Sequence, residues 1–191
     1  MSNVLYQEFR PQTFSDTKGQ DHVTTTIKNQ YLSGKIAHAY LFTGGRGTGK
    51  TTTARNIARL MNCDNPHEGE PCNMCSSCQE ILTGSSTDVI EIDAASNRGI
   101  DDIRNLKDSI SHIPLRKHKI YIIDEVHMLT NEAFNALLKP IEEPPQHVTF
   151  ILATTEPHKV PVTILSRCQR FDFRKIDEAV IIERLNEICK V

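Results

Sequence analysis

The run Ala39-Tyr40-Leu41-Phe42-Thr43-Gly44-Gly45-Arg46-Gly47-Thr48-Gly49-Lys50-Thr51 decides how the rest of the chain is read. Its first five residues are a β-rich apolar stretch, and the remainder fits the P-loop pattern G-x-x-x-x-G-K-[ST]. From Thr51 to Met61 the period becomes helical, with Ala54, Ile57, Ala58 and Met61 on one face. The chemistry needs these residue types. Gly44, Gly45, Gly47 and Gly49 let the main chain curl until successive N–H groups point at phosphate oxygens. The helix start near Lys50 adds the positive end of its dipole. Lys50 is placed to reach the β- and γ-phosphates, and the Thr51 hydroxyl to ligate Mg²⁺. Arg46, Thr48 and Thr52 complete the candidate nucleotide-binding set. A Gly-rich turn with no ligand is the plain alternative; the strand before and the helix after argue against it.

Four more β-rich runs follow, at 89–92, 120–123, 148–153 and 170–173. Ile120-Tyr121-Ile122-Ile123 is apolar at every position, as in a strand covered on both faces of a parallel sheet. The runs at 89–92 and 170–173 alternate, which puts them nearer the sheet edges. Between the runs lie helical stripes. One holds Ile100, Ile103, Leu106, Ile110 and Ile113. Another holds Phe134, Leu137, Leu138 and Ile141, with Thr130 as its cap. Pro140 should end or kink this second helix, and Pro144-Pro145 should stop it. Repeated strand and helix predict an α/β fold: a five-stranded, mostly parallel sheet with helices on both faces. One domain is read over 1–176. A last helix, Asp177 to Val191, carries Val180, Ile181, Leu185 and Ile188 as its stripe, has nothing after it to pack against, and reads as the start of a second, truncated domain.

Ile120-Tyr121-Ile122-Ile123-Asp124-Glu125 is an apolar strand ending in two carboxylates, the Walker B arrangement. Asp124 would hold Mg²⁺ directly or through water, and Glu125 would polarise the attacking water. A solvated strand end looks the same in isolation; its pairing with an intact P-loop favours the catalytic reading.

Cys63, Cys72, Cys75 and Cys78 have the spacing C-x8-C-x2-C-x2-C. Four thiolates complete a tetrahedral Zn²⁺ and leave no open position for catalysis, so the expected site, a module at about 63–80, is structural. Four free thiols are the alternative. His67 and Glu70 lie close enough in sequence to compete as ligands, but four sulfurs suffice. Cys168 and Cys189 read as small buried residues, and the eight histidines as surface or packing residues.

Over 191 residues there are 22 Lys and Arg against 24 Asp and Glu, for a net charge of −2. That excludes a uniformly basic nucleic-acid binder, though not a local basic face. No apolar run approaches the ~20 residues of a membrane helix, and Met1–Glu8 has no secretory pattern, so the cytoplasm is expected and no membrane partner. Asn97 and Arg98 precede a predicted helix start, Arg104 and Lys107 lie along the same helix, and together they are either phosphate contacts or a solvated charged face.

The chain resembles the gamma/tau family of bacterial DNA polymerase III, the AAA+ ATPases of the sliding-clamp loader. The likeness is carried by residues 6–11 (YQEFRP), Gly19-Gln20, residues 38–51 (HAYLFTGGRGTGKT), the cysteine cluster, residues 93–96 (DAAS), 124–129 (DEVHML), 137–145 (LLKPIEEPP) and 150–168 (FILATTEPHKVPVTILSRC). It implies ATP, Mg²⁺ and Zn²⁺ as cofactors. The strand ending at Thr155 should lie between the P-loop strand and the Asp124 strand, with Thr155 beside the γ-phosphate; a Thr satisfied by backbone is the alternative. Arg10 and Pro11 correspond to the family's adenine-pocket residues. Arg167, in Ser166-Arg167-Cys168, corresponds to an arginine finger reaching a neighbouring subunit's ATP, so an isolated chain should hydrolyse poorly. Residues 177–191 correspond to the start of a helical lid whose sensor 2 arginine is absent here, and Pro140 stands where the family usually has Thr. Implied partners are delta and delta-prime type subunits, further gamma/tau copies, the sliding clamp and primer–template DNA. Two other readings compete: a non-motor scaffold subunit of the same complex, disfavoured by the complete P-loop, and another AAA+ DNA-processing ATPase such as a branch-migration helicase, disfavoured by the cysteine cluster.

Overall fold

A computed structural model describes residue 5 and residues 9–190. Tyr6, Gln7 and Glu8 of the N-terminal motif, the Met1–Glu8 start and Val191 lie outside the described residues, apart from Leu5.

The five expected strands form one sheet: β1 Ala39–Thr43, β2 Val89–Asp93, β3 Lys119–Asp124, β4 Val148–Thr154 and β5 Gln169–Asp172. Their order is β2-β3-β4-β1-β5, and every pairing is parallel. β1, β3 and β4 sit at the centre, almost wholly buried. The two alternating strands take the edges, because an edge strand has less of its surface to cover. β4 lies between β1 and β3, with Thr43 opposite Thr154 and Ile123 opposite Leu152. The P-loop, Asp124 and Thr155 therefore leave the same edge of the sheet, where parallel strands place ligands.

Helices cover both faces and close two cores. Tyr40, Phe42, Ile57, Ala58, Ile120, Ile122 and Ile151 lie in one, with α1 (Asp21–Leu32), α2 (Lys50–Asn62) and α3 (Ser76–Thr83) against it. Leu41, Tyr121, Ile123, Phe150 and Leu152 lie in the other, under α4 (Ile100–Ile110), α5 (Asn131–Glu142) and α6 (Val162–Leu165). Alternation along each central strand sends neighbours to opposite faces, so fully apolar strands feed two cores at once.

Three expectations change. The α4 stripe stops at Ile110, and Ile113 is 85% exposed. Pro114 follows Ile113, and the residue before a proline is pushed out of the helical region. The second helix runs through Pro140 to Glu142 instead of ending there, and Thr130 caps it by accepting the Ala133 N–H. Cys189 is exposed rather than buried, because α7 (Glu178–Ile188), which it follows, has no buried residue. Cys168 is half-buried against the core, and burial pushes its thiol up to about 12. Among the described residues no helix is long and apolar enough to cross a membrane.

Candidate nucleotide site and cysteine cluster

The P-loop is shaped by two glycines that no other residue replaces easily. Gly44 has φ +145°, and a Cβ there would lie 2.5 Å from the Phe173 carbonyl oxygen. Gly49, at φ +97°, turns the chain into α2. Inside the loop the Lys50 ammonium donates to the Gly44 and Gly45 carbonyls at 2.8 and 2.7 Å. Burial pushes Lys50 below its usual value, while Glu125 and Asp124 pull it back up. Thr48 closes the turn by donating its hydroxyl to the Gly45 carbonyl at 2.9 Å.

Across the loop, Thr51 Oγ1 donates to Asp124 Oδ2 at 2.6 Å. These two oxygens come from elements 73 residues apart. They form a pair of hard oxygen donors that fits Mg²⁺. Glu125 follows at φ +48°, a left-handed conformation rare for a residue with a side chain. Its Oε2 accepts the Thr155 hydroxyl at 3.0 Å and lies 3.4 Å from His127 Nδ1. The exposed Arg46 guanidinium lies 3.9 Å from Glu125 Oε1.

His127 was read only as packing or surface. Its side chain is 5% exposed and sits in a polar row, with Nδ1 2.9 Å from Thr154 Oγ1 and Nε2 3.2 Å from Glu156 Oε1. A histidine three residues past a strand-terminal Asp was the available signal. Its partners on β4 become visible only in three dimensions.

Arg10 and Pro11 face the P-loop across a cavity of about 420 Å³. One wall is residues 47–52, a second is Phe9 to Pro11 with Asp16 to Lys18, and the third is Ile176 with α7. Val180, Ile181, Leu185 and Ile188 line that third wall, so the stripe with no expected partner turns toward this cavity.

Arg167 is not among the residues lining the cavity. Its guanidinium is held at two points, donating to the Thr163 carbonyl at 2.8 Å and to Glu142 Oε1 at 3.0 Å. Around α4 the charges are mixed: Asp101 and Asp102 occupy the first turn, Arg104 pairs with Asp101 at 3.0 Å, and Arg98 Nε donates to the Ala95 carbonyl. This is the pattern of a solvated charged face.

The four cysteines converge. The Sγ atoms of Cys63, Cys72, Cys75 and Cys78 lie within 4.8 Å of one another. A tetrahedral zinc with ~2.3 Å bonds sets sulfurs ~3.8 Å apart, so the set fits with small closure. Main-chain N–H groups of Cys72, Cys75 and Cys78 donate to the sulfurs of Cys63, Cys72 and Cys75 at 3.3, 3.4 and 3.5 Å. Donation from the Met74 and Cys75 N–H groups holds the Cys72 thiol down at about 6, whereas burial pushes Cys63 and Cys78 up. The buried Arg59 guanidinium lies near Cys78, and its Nε has no hydrogen-bond partner among the described residues. A cation buried there suits a thiolate cluster with net negative charge. Glu70 is committed elsewhere, to the N–H groups of Phe14 and Ser15.

Fold and site together define a P-loop nucleotide-binding domain of the AAA+ class. The chain belongs to the family described as DNA polymerase III, delta subunit, whose model matches residues 19–177. It is 57% identical over 186 residues to DNA polymerase III subunit tau of Bacillus subtilis (strain 168), a match taking in 97% of this chain and 33% of that protein. The chain thus spans about a third of the length of that curated relative. The expected likeness to gamma/tau subunits is borne out. Among solved structures, a DNA polymerase III gamma subunit-related protein from Thermotoga maritima superposes with a TM-score of 0.54 at 26% identity, over 81% of this chain and 46% of that one. The RuvB Holliday junction branch migration motor of the same organism gives 0.66 at 20% identity, over 96% and 55%. That second likeness concerns the fold alone.

Proposed function

We propose that this chain is the nucleotide-binding and hydrolysing portion of a motor subunit of the bacterial replicative clamp loader. The observation that carries the reading is the convergence of Lys50, Thr51, Asp124 and Glu125 at one sheet edge, with Thr51 and Asp124 in direct contact at 2.6 Å. Asp124 and the Thr51 hydroxyl would hold Mg²⁺, which would supply positive charge to offset that of the phosphates. The Gly44–Gly49 main chain cradles the phosphates together with Thr52, and Lys50 exchanges its two carbonyl partners for phosphate oxygens. Glu125 orients the attacking water and takes its proton, and Thr155 and His127 fix the carboxylate that does so. Arg10 and Pro11 line the base side. Arg167, held out by Glu142 and Thr163, serves the ATP of an adjacent subunit. The four cysteines hold a structural Zn²⁺. Residues 177–191 begin the helical lid, and residues 1–176 form the ATPase domain.

The partners of this reading are delta and delta-prime type subunits, further copies of this chain, the sliding clamp and primer–template DNA, and the cellular compartment is the cytoplasm. ATP binding orders the subunits and opens the clamp, and hydrolysis on DNA releases it. A scaffold role without turnover is the second reading, prompted by the delta-subunit description of the matching family. It predicts a P-loop that need not close on a nucleotide, whereas residues 44–51 match the G-x-x-x-x-G-K-[ST] pattern without a departure, which favours the motor reading.

One set of variants tests the proposal in the assembled complex. Lys50→Ala abolishes ATP binding by calorimetry. Glu125→Gln keeps binding and slows hydrolysis by ~10²–10⁴. Arg167→Ala leaves binding by its own subunit near normal and lowers DNA-stimulated turnover by ~10³–10⁵. Normal turnover in Glu125→Gln, or equal loss of binding and turnover in Arg167→Ala, refutes the assigned roles.

A further inference from the structure

The base-side wall of the cavity is a segment held only partly by its own contacts. Residues 10–20 form no helix or strand; a local turn links Thr13 to Asp16 and Phe14 to Thr17, and the remaining main-chain groups need partners elsewhere. Phe9 to Pro11 and Asp16 to Lys18 line the cavity, and residues 12–15 between them turn away from it. Those four residues carry the anchors: the Phe14 side chain is buried in the core beside α1 and α2, and the other anchors are polar. Glu70 accepts the N–H groups of Phe14 and Ser15 at 2.8 and 3.0 Å and the Ser15 hydroxyl at 2.8 Å, while Lys28 Nζ sits 3.1 Å from the same carboxylate. Asn73 Nδ2 donates to the Gln12 carbonyl at 3.0 Å. From α2, Arg59 donates to that same carbonyl at 2.7 Å and Asn56 to the Thr13 carbonyl at 2.8 Å.

Both loop anchors belong to the cysteine module. Glu70 ends a tight turn in which His67 and Glu70 exchange N–H to O=C bonds at 3.0 and 2.9 Å, with Glu68 and Gly69 both at positive φ. It lies two residues before Cys72. Asn73, between Cys72 and Cys75, is at φ +56°. The loop has little apolar surface of its own: from 64 to 75 its apolar residues besides the cysteines are Pro66, Pro71 and Met74, of which Pro71 is buried and Met74 is 84% exposed. A loop without a core takes its shape from the ion that joins its thiolates.

We propose that the four-cysteine module is a latch for the base-side wall of the nucleotide pocket, with Glu70 and Asn73 as positioning residues, so that zinc occupancy and adenine-nucleotide affinity are coupled. This deepens the function proposed above and rests on its assignment of Arg10 and Pro11 to the base side. A wall held in place before binding need not be ordered by the ligand, which raises affinity for whatever touches it. The coupling is reciprocal: the factor by which zinc strengthens ATP binding is the factor by which ATP strengthens zinc binding. The triphosphate side of the pocket, built by Gly44 to Thr52, is outside the latch.

The test compares ATP with inorganic tripolyphosphate by titration calorimetry on the full chain, its Glu70→Ala and Asn73→Gly variants, and zinc-stripped wild type, with zinc content read by atomic absorption. Zinc-stripped chain and Glu70→Ala should bind ATP roughly tenfold more weakly, Asn73→Gly severalfold, all with tripolyphosphate affinity unchanged. Saturating ATP should raise zinc affinity, measured against a chromophoric chelator, by the same factor that stripping costs. Should Glu70→Ala fail to fold, Asn73→Gly, which removes the hydrogen bond to Gln12 and keeps the left-handed backbone of position 73, carries the comparison. Unchanged ATP affinity in the variants and the stripped protein overturns the latch. So does an equal loss for both ligands, which marks general unfolding. A wild-type chain that binds ATP no better than tripolyphosphate overturns the base-side assignment, and the latch with it.

Discussion

At the scale of single residues, Glu125 is the most constrained side chain of the proposed site. It sits in a left-handed conformation at the end of β3, with its carboxylate shared by Thr155 and His127. Backbone strain of this kind persists where surrounding contacts over-determine it, as at reaction centres. Gly44 is equally constrained, from the other side. A Gly44→Ala chain would meet the Phe173 carbonyl and adopt a φ that side chains avoid. The expected result is a loss of ~2–4 kcal/mol in stability with ATP binding weakened in parallel, read by denaturant melts and calorimetry. Wild-type stability would mean that the 173 strand end gives way freely. The Gly44–Thr51 loop and the Asp124-Glu125 strand end were legible in the sequence because residue type and spacing single them out, and the structure brings them together at one sheet edge. His127 was not, since nothing in a linear string tells a histidine paired with Thr154 and Glu156 from one in solvent.

Elements were legible where the period was long and the neighbours unambiguous. β3 reads as a covered strand and is one, and the alternating strands lie at the edges. The misreadings are both at prolines. Pro114 truncates α4 before Ile113, a local steric effect. Pro140 fails to stop α5 because the helix is held by tertiary burial: Phe134, Leu137, Pro140 and Ile141 all lie in the core. That burial offsets the missing N–H and leaves the Ala136 carbonyl without its helical donor. Pro140→Ala should therefore stabilise the chain by ~1–3 kcal/mol, raising the melting temperature by roughly 2–4 °C per kcal/mol, with ATP binding unchanged. A drop in melting temperature would show that the ring's packing outweighs the lost hydrogen bond.

At the scale of the whole molecule, the sheet joins two cores, and the N-terminal segment is held by the cysteine module through Glu70 and Asn73 and by α2 through Asn56 and Arg59, with Glu70 also paired to Lys28 of α1. Removing zinc should then act beyond residues 63–83. Chelation is expected to lower the melting temperature by at least several degrees, at ~2–4 °C per kcal/mol, and to speed amide exchange at Phe14 and Ser15 while the Ile120–Ile123 amides stay protected. Identical exchange at Phe14 and Ser15 with and without zinc would confine the metal's influence to its own loop. Composition and motif spacing by themselves determined the α/β class, the strand inventory, the phosphate loop, the carboxylate pair and the four-sulfur cluster, because each depends on residue type and short-range periodicity. Only the tertiary structure decided that Thr51 touches Asp124, that Thr155 and His127 meet the Glu125 carboxylate, that Glu142 holds Arg167, and that Glu70 accepts the Phe14 and Ser15 N–H groups. Those contacts join residues 2 to 73 positions apart, and their partners are set by how the sheet is ordered and how helices pack on it, which no local pattern encodes.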